Sequence, residues 1–225
     1  MPFDTPVDSV PEQVYARCQS RPVAVIARPH GFVLAGGQSR RMGRDKATLP
    51  LAGQPLLLRQ LNLLRPYVGS VAVLGSAGTY DFLRDPVIPD QMPGRGPLAA
   101  ILTGLRHSCV DWSIFIACDM PLLQSEFMEL LLGFIAKSDA DAIVPLTHSR
   151  WQPLCAAYRK SSIRGLREVL DEGNSAVVQA LPRLRVDVIT GSDLATAGLP
   201  ENIFENVNRL EDWRKILKLT SAKVR

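Results

Sequence analysis

Cysteine and histidine are scarce in this sequence. Its 225 residues include four cysteines and three histidines, and no two cysteines form a CxxC pair. Zinc sites and multi-disulfide scaffolds need such clusters, so the composition disfavours both. Cys118 has no histidine near it in the sequence, which favours a small buried apolar side chain over a catalytic nucleophile.

Long apolar runs and widespread positive charge are also missing. No apolar run is long enough to cross a membrane, and residues 1–20 contain acidic residues and prolines where a secretory signal has an apolar core. The net charge is +4, of which residues 38–46 contribute +3, so the rest of the chain is close to neutral. This distribution disfavours a duplex-DNA binder and favours a local anion site. We therefore expect a cytoplasmic protein that binds neither nucleic acid nor a membrane.

The sequence does contain a regular alternation of short apolar runs and helical patterns from Gly31 onward. Strands are predicted at FVLA (32–35), VAVLG (71–75), SIFIA (113–117) and AIVP (142–145), and helices at 55–67, 97–107 and 126–137. Alternation of this kind is typical of a parallel sheet covered by helices on both faces. The predicted fold class is therefore α/β.

The hydrophobic content sets the number of domains. A chain of 225 residues, 46% of them hydrophobic, can form one sizeable core but not two full domains. We expect residues 31–225 to form one domain, preceded by an extension at 1–30 that is partly disordered or contributes an edge strand at VAVIA (23–27). Closer to the C-terminus, Asn174 and Ser175 are predicted to cap a helix formed by AVVQAL.

The segment VLAGGQSRRMGRDK (33–46) is the strongest candidate for a binding site. Gly36 and Gly37 follow a predicted buried strand, and backbone N–H groups at glycine can approach phosphate closely. Arg41 and Lys46 add positive charge suited to phosphate oxygens. The spacing matches neither GxGxxG nor GxxxxGKS/T, which disfavours a dinucleotide oxidoreductase and a P-loop NTPase. A solvated basic loop is the alternative, and the combination of strand, glycines and cations favours anion binding.

Two carboxylates follow other parts of the predicted sheet. Asp119 closely follows SIFIA, so we expect it at the same sheet edge as the glycine segment. A single carboxylate beside phosphates suits Mg²⁺, which takes its remaining ligands from phosphates and water. A turn or a helix cap is the alternative role for Asp119. Asp90, in PDQMPGRGPLAAI, is either a turn residue or an acceptor for the N1–H and amino group of guanine.

The motif ENVNRLED (205–212) contains two asparagines. Asn206 offers an amide that can bind a ligand. Asn208 is predicted to form a capping box with Glu211 at the start of the last helix, which explains it without a binding role. Trp151 and Gln152, in RWQPL, form either a ligand platform or an ordinary surface turn.

These motifs together resemble those of the molybdenum cofactor guanylyltransferases, a family within the nucleotidyltransferase superfamily. The matching segments occur in the family's order and are LAGGQSRRMGRDKATLPLAGQPLL, DQMPGRGPLAAI, CDMPLL, QPLCAAY and NVNRLED. They extend from about Gly31 to Trp213 and leave residues 1–30 outside. The resemblance implies a single Rossmann-like domain with three α/β/α layers and a mostly parallel, mixed sheet.

The resemblance also implies a reaction in which GMP is transferred from GTP to molybdopterin, with or without molybdenum, and pyrophosphate is released. Carried over by motif, the residues that contact the nucleotide are Leu34, Ala35, Gly36, Gly37 and Ser76. Lys46 would contact the phosphates, Asp90 the guanine, and Asp119 both the nucleotide and Mg²⁺. Asn206 and Asn208 would contact the pterin. The implied catalytic residues are Lys46, Arg41 and Asp119. Ser76 stands where the family often has asparagine. Residues 34–37 read LAGG, whereas the cytidylyl-transferring relatives resemble LAAG at these positions. The LAGG segment, which ends at Gly37, therefore favours guanine as the base.

In the implied mechanism, the terminal phosphate of the pterin attacks the α-phosphate of GTP in line. That phosphate is already ionised, so no general base is needed. Backbone N–H groups, Lys46, Arg41 and Mg²⁺ on Asp119 would stabilise the developing charge. Molybdenum-insertion proteins and molybdoenzymes are the implied protein partners. The alternatives are a related transferase with a cytidylyl donor or a sugar-phosphate acceptor, and a nucleotide-binding assembly partner without turnover.

Overall fold

The structure is a computed structural model that describes residues 27–36, 45–76, 79–80 and 82–222. Gly37, Arg41 and all but the last residue of the proposed VAVIA strand lie outside the described residues. The strands are β1 His30–Leu34, β2 Pro50–Leu51, β3 Gln54–Pro55, β4 Ser70–Gly75, β5 Val87–Pro89, β6 Trp112–Ala117, β7 Ala142–Thr147, β8 Arg150–Trp151, β9 Cys155–Arg159 and β10 Val186–Ile189. The helices are α1 Leu56–Leu64, α2 Gly96–His107, α3 Ser125–Ile135, α4 Ile163–Asp171, α5 Gly191–Thr196 and α6 Leu210–Ala222.

The main sheet of the described residues is mixed but mostly parallel. Its strand order is β10-β7-β9-β6-β1-β4-β5, with β8 paired to β7 alone, while β2 and β3 form a separate hairpin. The pairs β10–β7, β6–β1, β1–β4 and β4–β5 are parallel, and β9 is antiparallel to both of its neighbours. This arrangement confirms the predicted sheet.

Helices cover the sheet on both faces. Successive side chains of a strand point to opposite faces, and β1 shows this alternation. On one face, Val33 packs in a buried cluster with apolar residues of α1 and α3. On the other face, Phe32 and Leu34 pack with apolar residues of α2 and α4. The three-layer α/β/α architecture is therefore confirmed, whereas the extent of the domain over 31–225 stays a prediction.

A helix forms at the predicted AVVQAL segment, but its predicted cap is wrong. Val177–Arg183 forms a 3₁₀ helix that follows Ala176 and has no side-chain cap. Pro182 lies inside it and has no N–H to donate, which does not suit a continuous α-helix. Ser175 instead uses its backbone carbonyl to accept a hydrogen bond from Leu98 N at the start of α2.

The predicted capping box at the last helix is also wrong. The side-chain oxygen of Asn208 accepts its hydrogen bond from Lys46. The carboxylate of Asp212, one residue beyond the predicted partner Glu211, accepts from the backbone N–H groups of Asn208 and Arg209. Within the described part of the chain, no helix combines the length and apolar character needed to cross a bilayer.

Candidate active site

The carboxyl ends of three parallel strands bring the glycine segment and Asp119 to one edge of the sheet. Ala35 N, just after β1, donates to Leu74 O in β4, and Cys118 N, just after β6, donates to Leu34 O. Gly36 is exposed at this edge, and a Cβ atom placed on it would have no atom of the described residues within 4 Å. The sheet edge therefore presents open backbone at Gly36 next to the segment that carries Asp119.

Lys46 contacts two other predicted site residues. It begins a short 3₁₀ helix, Lys46–Thr48, which Asp45 caps by accepting a hydrogen bond from Ala47 N. The Lys46 ammonium lies 3.6 Å from Asp119 Oδ2 and donates to Asn208 Oδ1 at 2.7 Å. Residues from three distant segments of the chain thus meet at one charged cluster.

Burial controls the electrostatics of Asp119. Its side chain is 22% exposed and that of Lys46 is 18% exposed. Burial raises the pKa of Asp119, and the nearby Lys46 ammonium, together with a hydrogen bond from the residue's own backbone, offsets this only in part. The ionised carboxylate therefore lacks full compensation of its charge.

The residues present fit a magnesium ion. The described residues contain no cluster of three or more histidine, cysteine, aspartate or glutamate side chains that could hold a metal. Mg²⁺ does not need such a cluster, because it is usually held by one or two carboxylates together with phosphate oxygens and water. The partly buried carboxylate of Asp119, whose charge the Lys46 ammonium compensates only in part, is a donor of this kind.

Two hydrogen bonds hold the segment around Asp119 in place. Val207 N donates to Asp119 O at 2.9 Å, and Gln60 Nε2, on α1, donates to Met120 O at 2.6 Å. Gln60 is only 1% exposed, and its Oε1 is one of the buried polar atoms of the described residues without a hydrogen-bond partner. Sequence reasoning missed Gln60, although a polar residue on the leucine stripe of an amphipathic helix is a usable signal.

Tyr80 and Asp45 are two further residues that the motifs did not single out. The Tyr80 hydroxyl lies 2.8 Å from Ala35 O and 2.9 Å from Asp45 Oδ2. Asp45 directly precedes the Lys46–Thr48 turn, and aspartate is a preferred helix N-cap, so the sequence did contain a signal for it. For Tyr80 the sequence contained no comparable signal.

Ser76 and Asp90 follow β4 and β5, which are parallel to β1, so both lie at the same edge. Ser76 is exposed directly after β4. Asp90 is half-buried, and its Oδ1 accepts a hydrogen bond from Met92 N at 2.9 Å, which is the turn role weighed for it. The contacts of Ser76 with nucleotide and of Asp90 with guanine stay predictions.

The remaining candidates lie in the segment before α6 and in the β7–β8 hairpin. Asn206 is exposed and directly precedes Val207. Trp151 pairs with Leu146 in the β7–β8 hairpin, and Gln152 N donates to Pro145 O. Because β6 and β7 are both antiparallel to β9, the hairpin lies at the same edge as Asp119. The pterin contacts of Asn206 and Asn208 stay predictions, as does a platform role for the hairpin.

Comparisons with known proteins point to one family. Residues 31–186 match the family described as MobA-like NTP transferase domain. A probable molybdenum cofactor guanylyltransferase from Carboxydothermus hydrogenoformans is 34% identical over 193 residues, which cover 85% of this chain and 96% of that protein. Another from Bacillus cytotoxicus is 31% identical over 193 residues, covering 83% and 95%. The solved molybdopterin-guanine dinucleotide biosynthesis protein A from Archaeoglobus fulgidus matches with a TM-score of 0.76 and 26% identity, covering 86% and 99%.

Proposed function

We propose that this chain, which belongs to the MobA-like NTP transferase family, transfers GMP from GTP to molybdopterin or to the molybdenum cofactor and releases pyrophosphate. Family membership confirms the resemblance recognised in the sequence and identifies the protein as a nucleotidyltransferase. The choice of nucleotide and acceptor, and the residues that bind them, are what we propose.

The observation that carries the proposal is the contact of Lys46 with Asp119 at the carboxyl edge of the sheet. Their charged atoms are 3.6 Å apart, next to the open backbone at Gly36. A cation, a carboxylate and free backbone side by side suit a triphosphate with its metal ion. The similar proteins are named guanylyltransferases of the molybdenum cofactor, which supports GTP and molybdopterin as the substrates.

In the proposed reaction, a phosphate oxygen of the pterin forms a bond to the α-phosphorus of GTP, and the bond to pyrophosphate breaks. Lys46 and the backbone at Ala35 and Gly36 hold the phosphates and stabilise the charge that develops on them. Asp119 would hold Mg²⁺, which when bound supplies positive charge to the leaving pyrophosphate. The acceptor phosphate is already ionised, so the chain needs no general base. Arg41, which the structure does not describe, adds charge in this scheme.

The test is pyrophosphate release by the purified protein with molybdopterin and Mg²⁺, comparing GTP, CTP, ATP and UTP. We expect release with GTP and not with the other three. The matched control is Asp139→Asn, a substitution at an exposed aspartate between α3 and β7, at the opposite edge of the sheet. It should behave as the wild type, whereas Asp119→Asn should lose the response to Mg²⁺.

The same experiment separates the alternatives. Release with CTP would indicate a cytidylyltransferase, and release with a sugar phosphate in place of molybdopterin would indicate a different acceptor. No release with any nucleotide, combined with measurable GTP binding, would favour an assembly partner without turnover. Each of these outcomes contradicts the proposed function.

A further inference from the structure

Tyr80 lies beside the candidate site and connects its two sides. The residue is 4% exposed, and its hydroxyl is within hydrogen-bond distance of Ala35 O at 2.8 Å and Asp45 Oδ2 at 2.9 Å. Ala35 directly follows β1, and Asp45 directly precedes the turn that begins at Lys46. A single buried hydroxyl therefore joins the sheet edge to the segment that carries the lysine. We call this connection the Tyr80 bridge.

Asp45 transmits the position of Tyr80 to Lys46. Its Oδ2 accepts from the Tyr80 hydroxyl, while its Oδ1 accepts from Ala47 N at 3.0 Å. Because both carboxylate oxygens accept hydrogen bonds, the orientation of the carboxylate is fixed. The carboxylate in turn fixes the start of the short helix that contains Lys46. The position of the ammonium relative to β1 thus depends on a chain of hydrogen bonds that passes through Tyr80.

Close packing keeps the Tyr80 ring in place. A Cβ atom on Gly75, the last residue of β4, would lie 3.2 Å from Tyr80 Cε2 and 3.2 Å from Ala35 O. The ring also makes an edge contact with Phe82, with 6.2 Å between the ring centroids. Burial and the neighbouring Asp45 raise the pKa of Tyr80 well above its ordinary value, so the hydroxyl keeps its proton and remains a donor.

We propose that Tyr80 is a positioning residue for GMP transfer, which holds Lys46 at the phosphate site through Asp45. The inference rests on the proposed function, because Lys46 is placed there as the phosphate-binding cation. Tyr80 itself touches no reacting group in this account. Removing its hydroxyl leaves Ala35 O and Asp45 without their shared donor, so the lysine loses its fixed distance from β1.

The kinetic test is a double-mutant cycle on kcat with Tyr80→Phe and Lys46→Ala. Tyr80→Phe alone should lower kcat by about 10- to 100-fold, because small displacements of a positioned group have effects of that order. If Tyr80 acts through Lys46, Tyr80→Phe should cause little further loss in the Lys46→Ala background. Independent, multiplying losses would overturn the proposal. The matched control is Tyr67→Phe, which removes a hydroxyl 3.3 Å from Glu129, a contact outside the site, and should leave kcat unchanged.

Hydrogen exchange of the Ala47 amide gives a second readout that does not need turnover. Asp45 protects this amide, so Tyr80→Phe should raise its exchange rate and Tyr67→Phe should not. Unchanged exchange at Ala47 in folded Tyr80→Phe would refute the bridge even if the wild type transfers no GMP. If Tyr80→Phe does not fold, Asp45→Ala breaks the same chain of bonds and replaces it in the kinetic cycle, where multiplying losses would count against the proposal.

Discussion

Lys46 is the residue on which the proposed chemistry depends most. Its ammonium lies between Asp119 and Asn208, and its turn is capped by Asp45. A mobile cation on a flexible stem would lose conformational entropy on binding phosphate. In this structure the contacts with Asp119 and Asn208, together with the capped turn, restrict the lysine at the sheet edge. In the proposed reaction, these contacts would reduce the entropy that the lysine loses when it binds phosphate.

Lys46→Ala should lower turnover by about 100-fold, the scale seen when one partner of the transition-state charge is removed. The measurement is pyrophosphate release with saturating GTP and molybdopterin. Lys137→Ala is the matched control, because Lys137 is exposed after α3 at the opposite edge of the sheet. Wild-type turnover in Lys46→Ala would remove the lysine from the mechanism.

Asp119 should make the metal-free protein less stable as the pH rises. Its folded-state pKa is raised, chiefly by burial. Between the ordinary pKa of about 4 and the raised value, the folded state holds a proton that the unfolded state has lost, so stability falls as the pH rises through this window. Asp119→Asn cannot ionise. In chelator-treated protein it should therefore be more stable than the wild type at neutral pH, and this gain should shrink towards pH 4.

Asp141 provides a control of opposite sign, and urea unfolding across this pH range measures the stability of both variants. Burial opposes its ionisation, but hydrogen bonds from Ser161 and Arg185 outweigh that effect and hold its pKa below the ordinary value. Asp141→Asn should therefore reduce stability at neutral pH, and the loss should shrink as the pH falls. A gain from Asp119→Asn that does not change with pH would contradict the role assigned to burial.

At the scale of single residues, the sequence predicted the charged groups better than the groups that hold them. Lys46 and Asp119 stand in recognisable motifs, and the structure brings them together. Tyr80 and Gln60 act through hydrogen bonds to backbone carbonyls of distant segments. Such contacts depend on how the elements pack, which no local pattern encodes.

Two glycines, one in a helix on each face of the sheet, show how closely each helix packs against its neighbours. On Gly104 of α2, a Cβ would lie 2.6 Å from Phe115 Cε1 and 3.0 Å from Leu74 Cδ1, both on the sheet. Gly104→Ala should therefore destabilise the protein by about 1–3 kcal/mol through overpacking. On Gly133 of α3, a Cβ would meet nothing within 4 Å in the described part of the chain, so Gly133→Ala should stabilise by about 0.5–1 kcal/mol through helix propensity. Urea unfolding measures both, and effects of the same sign would contradict the packing described.

The start of α6 offers a direct comparison of two neighbouring carboxylates. Asp212 accepts the backbone N–H groups of Asn208 and Arg209, which also hold its pKa below the ordinary value. Asp212→Ala should speed the hydrogen exchange of those two amides several-fold. Glu211→Ala removes the carboxylate predicted from the sequence and should leave their exchange unchanged. Equal effects of the two substitutions would show that the cap is misassigned.

At the scale of elements, strands and long helices were predictable, and the ends of helices were not. The buried strands 71–75 and 113–117 and the helix 97–107 were found within one residue of β4, β6 and α2, because apolar runs and helical spacing mark them. The capping box at Asn208 failed because its side chain is engaged by Lys46, 162 positions away in sequence. Local capping preference was overridden by a tertiary contact.

On the scale of the whole molecule, function follows from the direction of the strands. β1, β4, β5, β6 and β7 all end at one edge, so segments far apart in sequence deliver their polar residues to the same place. Parallel order was predictable from strand–helix alternation. The antiparallel insertion of β9 between β6 and β7 was not, because its sequence pattern does not differ from that of its neighbours.

The most direct measurement uses GTP labelled at its α-phosphate, incubated with the protein, molybdopterin and Mg²⁺. We expect the label in a product that contains both guanosine and pterin, with one pyrophosphate released for each product formed. Recovery of the label in unreacted GTP or in free GMP, with no pterin-linked product, would contradict it.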